Sequence, residues 1–233
     1  MPFLSLLAFL CLLLMAAPAH AALTLAGDTG LIKIPTADVL KSGDFALGFS
    51  WIGGPESYFL RPKTNRFYYA TMGILPGLEV SLDMLQVIGW VDPDAPGVAY
   101  AFHRMSNIKY QLPLPHGWPR VAIGTQDPVS ANALTRGPQG QTHYGLTTYY
   151  GVVSQPFGPV TLHLGYSKGQ DFLNGVFGGA DWELGYGLNV RGEYDGQEWN
   201  AGLHWHPTSF FALYGARLFP DDWAYGTTLT WRL

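Results

Sequence analysis

The chain predicts an all-β fold, an antiparallel transmembrane up-and-down β-barrel of about twelve strands, and three observations carry that prediction. Short segments alternate apolar and polar residues with a period of two, an export signal precedes them, and charged residues make up 13% of the 233 residues against 15% aromatics and 29 glycines. A strand turns successive side chains to opposite faces, so each alternating segment has one greasy and one polar face. Lipid demands that every backbone N–H and C=O be satisfied internally, which strands achieve only by closing into a barrel. The charged share is about half the roughly 25% usual in soluble domains. An all-β sandwich would alternate as well. It would not need Trp or Tyr on most of its outward stripes.

Residues 1–21 read as a cleaved secretory signal peptide. Leu4 to Met15 form an apolar run, Pro18 breaks it, and Ala19-His20-Ala21 supplies a small-x-small cleavage pattern. The run is shorter than the roughly 20 residues a membrane helix needs. Cleavage after Ala21 would remove Cys11, the only cysteine, and with it any disulfide or thiol chemistry. Residues 22–42 are expected to form an N-terminal periplasmic segment or a first strand, with a plug left open for Gly27 to Leu40, and residues 43–233 the barrel.

The alternating segments run at about 43–53, 66–74, 78–87, 102–112, 119–126, 144–154, 159–167, 176–185, 187–194, 198–206, 210–218 and 224–233. Most approach the 9–11 residues a tilted strand needs to cross the hydrocarbon. Phe45, Leu47, Phe49 and Trp51 make an outward stripe, as do Val160, Leu162, Leu164 and Tyr166, then Trp199, Ala201, Leu203 and Trp205. Residues 66–74 are apolar on both faces and take no orientation from the pattern. Links after even-numbered strands are short and those after odd-numbered ones mostly longer, the asymmetry of periplasmic turns and outer loops. Both chain ends are then expected in the periplasm of a bacterial cell, with the barrel in its outer membrane.

The phase puts Glu79, Asp83, Lys109, Arg120, Asp181, Glu183, Arg191, Glu193, Glu198, His204 and His206 on the lumen. Opposite charges there can pair across neighbouring strands, or the lining can pass a hydrated, hydroxyl-rich solute. The mixed signs do not favour an ion of one charge. Tyr149 and Phe177 are also read as inward, as ring-stacking or lumen-filling residues. His204 and His206 lie about 7 Å apart on one strand face, but no third ligand is evident and no metal is expected. Asp92-Pro93-Asp94 reads as a turn rather than a calcium loop. No nucleophile motif and no nucleotide-binding glycine loop is present, so no catalytic residue and no cofactor are expected, and passage would be powered elsewhere. A lumen or rim enzyme acting on lipid or glycan is the alternative, and a purely structural barrel another. The mild charge of −4 argues against nucleic acid as a partner.

Gly27-Asp28-Thr29-Gly30-Leu31-Ile32-Lys33-Ile34-Pro35-Thr36-Ala37 resembles the opening motif of the YjbH-like outer-membrane proteins linked to exopolysaccharide production. Asn107 to Leu112, with Lys109 at its centre, looks like that family's Asp-Leu-Lys-Tyr-Arg-Leu strand. Phe177 to Trp182 looks like its Gly-Gly stretch, and Arg191-Gly192-Glu193-Tyr194-Asp195-Gly196 closing on Asn200-Ala201-Gly202-Leu203 looks like its Glu-Tyr-Asp-Gly…Asn-Ala-Gly-Leu stretch. The residues that carry the likeness are thus Gly27, Gly30, Leu31, Pro35, Ala37, Lys109, Glu193, Tyr194, Asp195, Asn200 and Gly202. Family members are often several hundred residues long, and the likeness covers their amino-terminal unit. It implies a role in exopolysaccharide secretion or assembly, either as a passive conduit or as an accessory of periplasmic export proteins. Gly226-x-x-Leu229-x-Trp231 resembles the last-strand signal read by the barrel-assembly machinery, so that machinery and outer-membrane lipid are the remaining expected partners.

Overall fold

A computed structural model describes residues 22–54, 63–88, 100–128, 147–169 and 173–233. The signal segment 1–21, the loops about Asp92-Pro93-Asp94 and His143, and the start of the sixth predicted strand lie outside the described residues. Twelve strands follow in order: β1 (Asp44–Gly54), β2 (Lys63–Leu75), β3 (Leu78–Ile88), β4 (Tyr100–Gln111), β5 (Arg120–Gln126), β6 (Thr148–Phe157), β7 (Val160–Gly169), β8 (Gly175–Gly185), β9 (Leu188–Tyr194), β10 (Trp199–Trp205), β11 (Phe211–Leu218) and β12 (Asp222–Arg232). Each pairs antiparallel with the next, and β12 pairs with β1 to close the ring. Closure excludes the sandwich, which keeps two sheets with free edges.

The seam is a full ladder from Asp44 opposite Arg232 to Gly53 opposite Trp223. On its outer face Phe45 meets Trp231 edge-on with centroids 4.8 Å apart, and Trp51 stacks on Tyr225 at the same distance. Such cross-strand aromatic pairs fix register as well as adding contact. Large apolar residues lie exposed around the wall, among them Leu82, Ile123, Leu164, Trp182, Leu203 and Tyr225. An apolar belt of this extent on a soluble protein would aggregate, whereas it suits a lipid solvent.

The inward faces resolve two points of phase. In β2, Asn65, Phe67, Tyr69, Thr71 and Gly73 point inside, and Tyr68 and Ile74 face out. Tyr149 is a correction: it is 59% exposed on the outside of β6, and Thr148, Tyr150, Val152 and Ser154 line the inside. Tyr149 and Tyr150 are adjacent aromatics, so alternation alone cannot choose between them. The polar Thr148 and Ser154 set the phase.

Residues 22–42 form neither a periplasmic segment nor a first strand. They fold up inside the barrel as a plug. Leu23, Leu25, Leu31, Ile32, Ile34, Ala37 and Leu40 are buried in one cluster with the inward Phe67, Tyr69, Leu85, Tyr150 and Phe177. On β1, β11 and β12 the inward Ala46, Ala212, Ala216 and Ala224 are small, and among them Tyr214 packs against the same cluster. Within the plug, isolated bridges join Leu23 to Thr29 and Gly30 to Pro35, and turn-type bonds such as Leu25 N to Ile32 O at 2.8 Å add to them, before Ser42 pairs with Gly73 and the chain enters β1.

Candidate functional site

An irregular segment in a lumen has backbone N–H and C=O groups that no ladder satisfies, and each one left unpaired is costly. The polar inner wall supplies the partners. On β9 the Glu193 carboxylate accepts the N–H groups of Ile32 at 2.8 Å, Lys33 at 2.8 Å and Ile34 at 3.3 Å. On β3 the Glu79 carboxylate accepts from Thr29 N at 2.9 Å, Thr29 Oγ1 at 3.1 Å and Leu40 N at 2.8 Å. In a ring of twelve in sequential order, β3 and β9 face each other, so the plug is clamped from opposite walls.

Neighbouring groups complete both clamps. Lys109, opposite Glu79 in the β3–β4 register, lies 3.4 Å from it and donates to Thr29 O at 2.6 Å and to Thr29 Oγ1. Asn200 donates to Glu193 and to Asp195, each at 3.2 Å, and Asp195 is ion-paired with Lys33 of the plug. Arg191 donates to Leu31 O at 3.1 Å and lies 3.5 Å from Asp181, its cross-strand neighbour. Gly202 sits where a Cβ would come within 3.2 Å of Ile32 Cδ1.

The motif residues 27–37 are therefore the plug, and Lys109, Glu193, Asp195, Asn200 and Gly202 are its socket. Gly27 has φ +94, and a Cβ there would fall 2.5 Å from Tyr69 Cβ and Cγ. At Gly30 the added atom would lie 2.3 Å from Ile34 O. Pro35 occupies the bridge to Gly30, and Ala37 N donates to Ser154 Oγ at 2.9 Å. Tyr194 stands apart from the plug, with its hydroxyl on Gly196 O at 3.0 Å and its ring against Trp199.

The remaining lumen residues have separate roles. Asp83 is held by Ser81 at 3.1 Å and Asn107 at 2.6 Å. Glu198 is not on a strand; it lies in the β9–β10 turn, where its N–H caps onto Asp195 Oδ1 at 2.9 Å. His204 is buried, stacks on Tyr214 with centroids 5.9 Å apart, and has the His206 ring 4.3 Å away. Among the described residues no group of three acids or imidazoles could hold a metal. Asp28 of the plug, fully buried, takes a hydrogen bond from Thr24 at 2.7 Å. Burial raises its carboxyl above the usual value, and the nearby Lys109 opposes that shift.

Ser154 and His163 form a pair that alternation did not single out, with Oγ 2.7 Å from Nδ1. The Ser154 hydroxyl is fully buried and already receives the Ala37 N–H, so it anchors the plug and leaves no approach for a substrate. Gln111 adds a bond to Ala37 O at 2.7 Å and Thr71 one to Gly27 O at 2.5 Å. One sequence signal pointed to these residues: small or polar inward side chains that have nothing to pack against unless something else fills the lumen.

Between the plug and the end of the barrel that carries the short turns, a cavity of about 480 Å³ remains open. Asp38 and Leu40 form part of its floor, Arg120, His163, Asp181 and Arg191 its walls, and Glu183, Tyr186 and His206 lie around it. Arg120 and Asp38 are ion-paired at 3.1 Å.

No protein-family model and no curated protein matches the chain. Among solved structures, the N-terminal β-barrel domain of Pseudomonas aeruginosa OprF aligns over 82% of this chain and 98% of that chain, at 9% identity and a TM-score of 0.27. A likeness that loose carries no argument, and the reading of the barrel rests on its own strand ladder.

Proposed function

We propose that the chain resides in the bacterial outer membrane and takes part in exopolysaccharide secretion or assembly as a closed barrel, an accessory of an export complex and not a standing conduit. The observation that carries the accessory role is the plug. Residues 22–42 occupy the lumen, and carboxylates on two opposed strands hold their backbone. Of the lumen residues read from sequence as a wet lining, Glu79, Lys109, Arg120, Arg191 and Glu193 are spent on that segment. Membrane residence is supported by the closed ladder and the exposed apolar belt. The polysaccharide role is supported by the resemblance of the plug and socket motifs to the YjbH-like family, whose opening motif here has a physical task.

Two measurements test the reading. Heat-modifiable gel mobility in outer-membrane fractions is expected, and recovery as a soluble periplasmic protein would refute membrane residence. Deleting the gene should lower secreted polysaccharide, and liposomes carrying the intact chain should exclude sugars in a swelling assay. Free sugar entry into those liposomes would restore the conduit.

A further inference from the structure

From the vestibule at the short-turn end we infer a binding site for a short, uncharged, hydroxyl-rich glycan segment; the inference rests on the polysaccharide role proposed above and narrows it to a place and a chemistry. The cavity's size, about 480 Å³, lies in the range of small-molecule sites, roughly 300–1,000 Å³. Its walls carry donors with nothing to donate to. His163 is buried, its Nδ1 bonded to Ser154 Oγ, and its Nε2 has no partner among the described residues. Ser154 receives the Ala37 N–H, so the arrangement that uses its own proton gives that proton to Nδ1 and puts the imidazole hydrogen on Nε2. Arg191, 4% exposed, likewise keeps an unpartnered Nε. Buried donors of this kind are normally answered by a ligand or an ordered water.

Acceptors stand beside them, with Asp181 and Asn189 hydrogen-bonded to each other at 3.0 Å on the same wall. The two arginines are balanced by Asp38 and Asp181, so the site offers both donors and acceptors without a net preference for an anion. Hydroxyl groups, which donate and accept, match that mixture.

Tyr186 is the independent observation. It sits in the two-residue β8–β9 turn with φ +52, followed by Gly187 at φ +74, a turn that favours Asn-Gly. A tyrosine there holds a left-handed backbone that bulky residues avoid, and the residue, 79% exposed, is one of those that line the cavity. An exposed aromatic side chain on a turn beside a hydroxyl-binding cavity is suited to cover the apolar face of a pyranose.

The test is binding of maltotriose, cellotriose and chitotriose to the purified full chain in detergent, followed by calorimetry and saturation-transfer NMR, with trigalacturonate as the charged comparison. Saturable binding of at least one neutral trisaccharide is expected, weakened at least about tenfold, some 1.4 kcal/mol, by Tyr186→Gly, which relieves the turn, and by His163→Phe. Tyr186→Gly keeps the test decisive if His163→Phe fails to fold. No neutral sugar bound, binding indifferent to Tyr186→Gly, or binding of trigalacturonate alone would each overturn the site. Sugar binding in vitro is independent of the deletion phenotype, so failure of the site and failure of the polysaccharide role are told apart.

Discussion

Truncating Glu193 to alanine should release the plug without unfolding the barrel. Glu193 accepts three consecutive plug N–H groups and one from Asn200, all buried but that of Lys33, which is partly so. Removing the carboxylate leaves those three plug donors without acceptors, at roughly 1–3 kcal/mol each. Water entering the vacated space recovers part of that, so the low end applies, and the plugged state loses about 3 kcal/mol, or roughly 100-fold in population. The loss falls mainly on the plug, because the β8–β9 and β9–β10 ladders do not involve the side chain and Asn200 keeps Asp195 as an acceptor. Trypsin cleavage after Lys33 in proteoliposomes reads the released population, since Lys33 is nearly covered when its ammonium meets Asp195. Cleavage about 100-fold faster, with heat-modifiable mobility retained, is the expected result. A rate within about twofold of wild type, the spread of an inert substitution, would mean that the carboxylate does not hold the plug.

Gly27→Ala should loosen the plug by roughly 1–3 kcal/mol through backbone strain and the clash with Tyr69, whereas Gly151→Ala, with open space around it, should stay within about 0.5 kcal/mol; denaturant midpoints compare them. Lys33→Glu sets two carboxylates against each other at Asp195 and should loosen the plug, read as a lower denaturant midpoint than that of the wild type. Asp28 is protonated more readily in the plugged state than in the released one, because burial raises its carboxyl. Its contribution to plug seating is therefore fully present at pH below the ordinary aspartate value, declines as pH rises toward the raised one, and is constant beyond; denaturant midpoints across that window should fall with pH, and the fall should be smaller in Asp28→Asn.

How much of this was legible in sequence follows from what period-two alternation can register. It fixes the outward stripes of β1, β7, β10 and β12, because polar and apolar residues there truly alternate between lipid and lumen. It fails in β2 and β6 for one reason: Phe67, Tyr69 and Tyr150 are inward because an apolar plug awaits them, and no strand pattern announces a core inside a barrel. The plug motif was visible at residues 27–37, but a segment with almost no regular structure has no period, so its place in the lumen had to come from three dimensions. Glu193 and Asp195 had the right phase and neighbourhood; that the first would meet main-chain N–H groups and not solute could not be read from either residue. The small inward Ala212, Ala216 and Ala224 were the available hint, since alanines on the inner face of neighbouring strands leave room that something else must fill.

The vestibule and the plug share atoms of one surface, and that decides the sign of their coupling. Asp38 and Leu40 belong both to the cavity floor and to the clamped segment: Leu40 N is held by Glu79, and Asp38 pairs with Arg120 of the wall. A glycan seated there contacts plug and wall together, so it binds the plugged barrel better than the released one. Linkage then requires it to stabilise the plug, by about 2.7 kcal/mol at a concentration 100-fold above its Kd. Saturating trisaccharide should therefore slow trypsin cleavage after Lys33 in the Glu193→Ala variant, by up to about 100-fold, and protect Tyr186→Gly in the same background at least about tenfold less. A ligand on its way through a conduit would do the opposite, because transit demands that the plug yield to it. Faster cleavage with sugar bound would thus reverse the assignment of this end of the barrel from a docking site for a closed accessory to the entrance of a gated path.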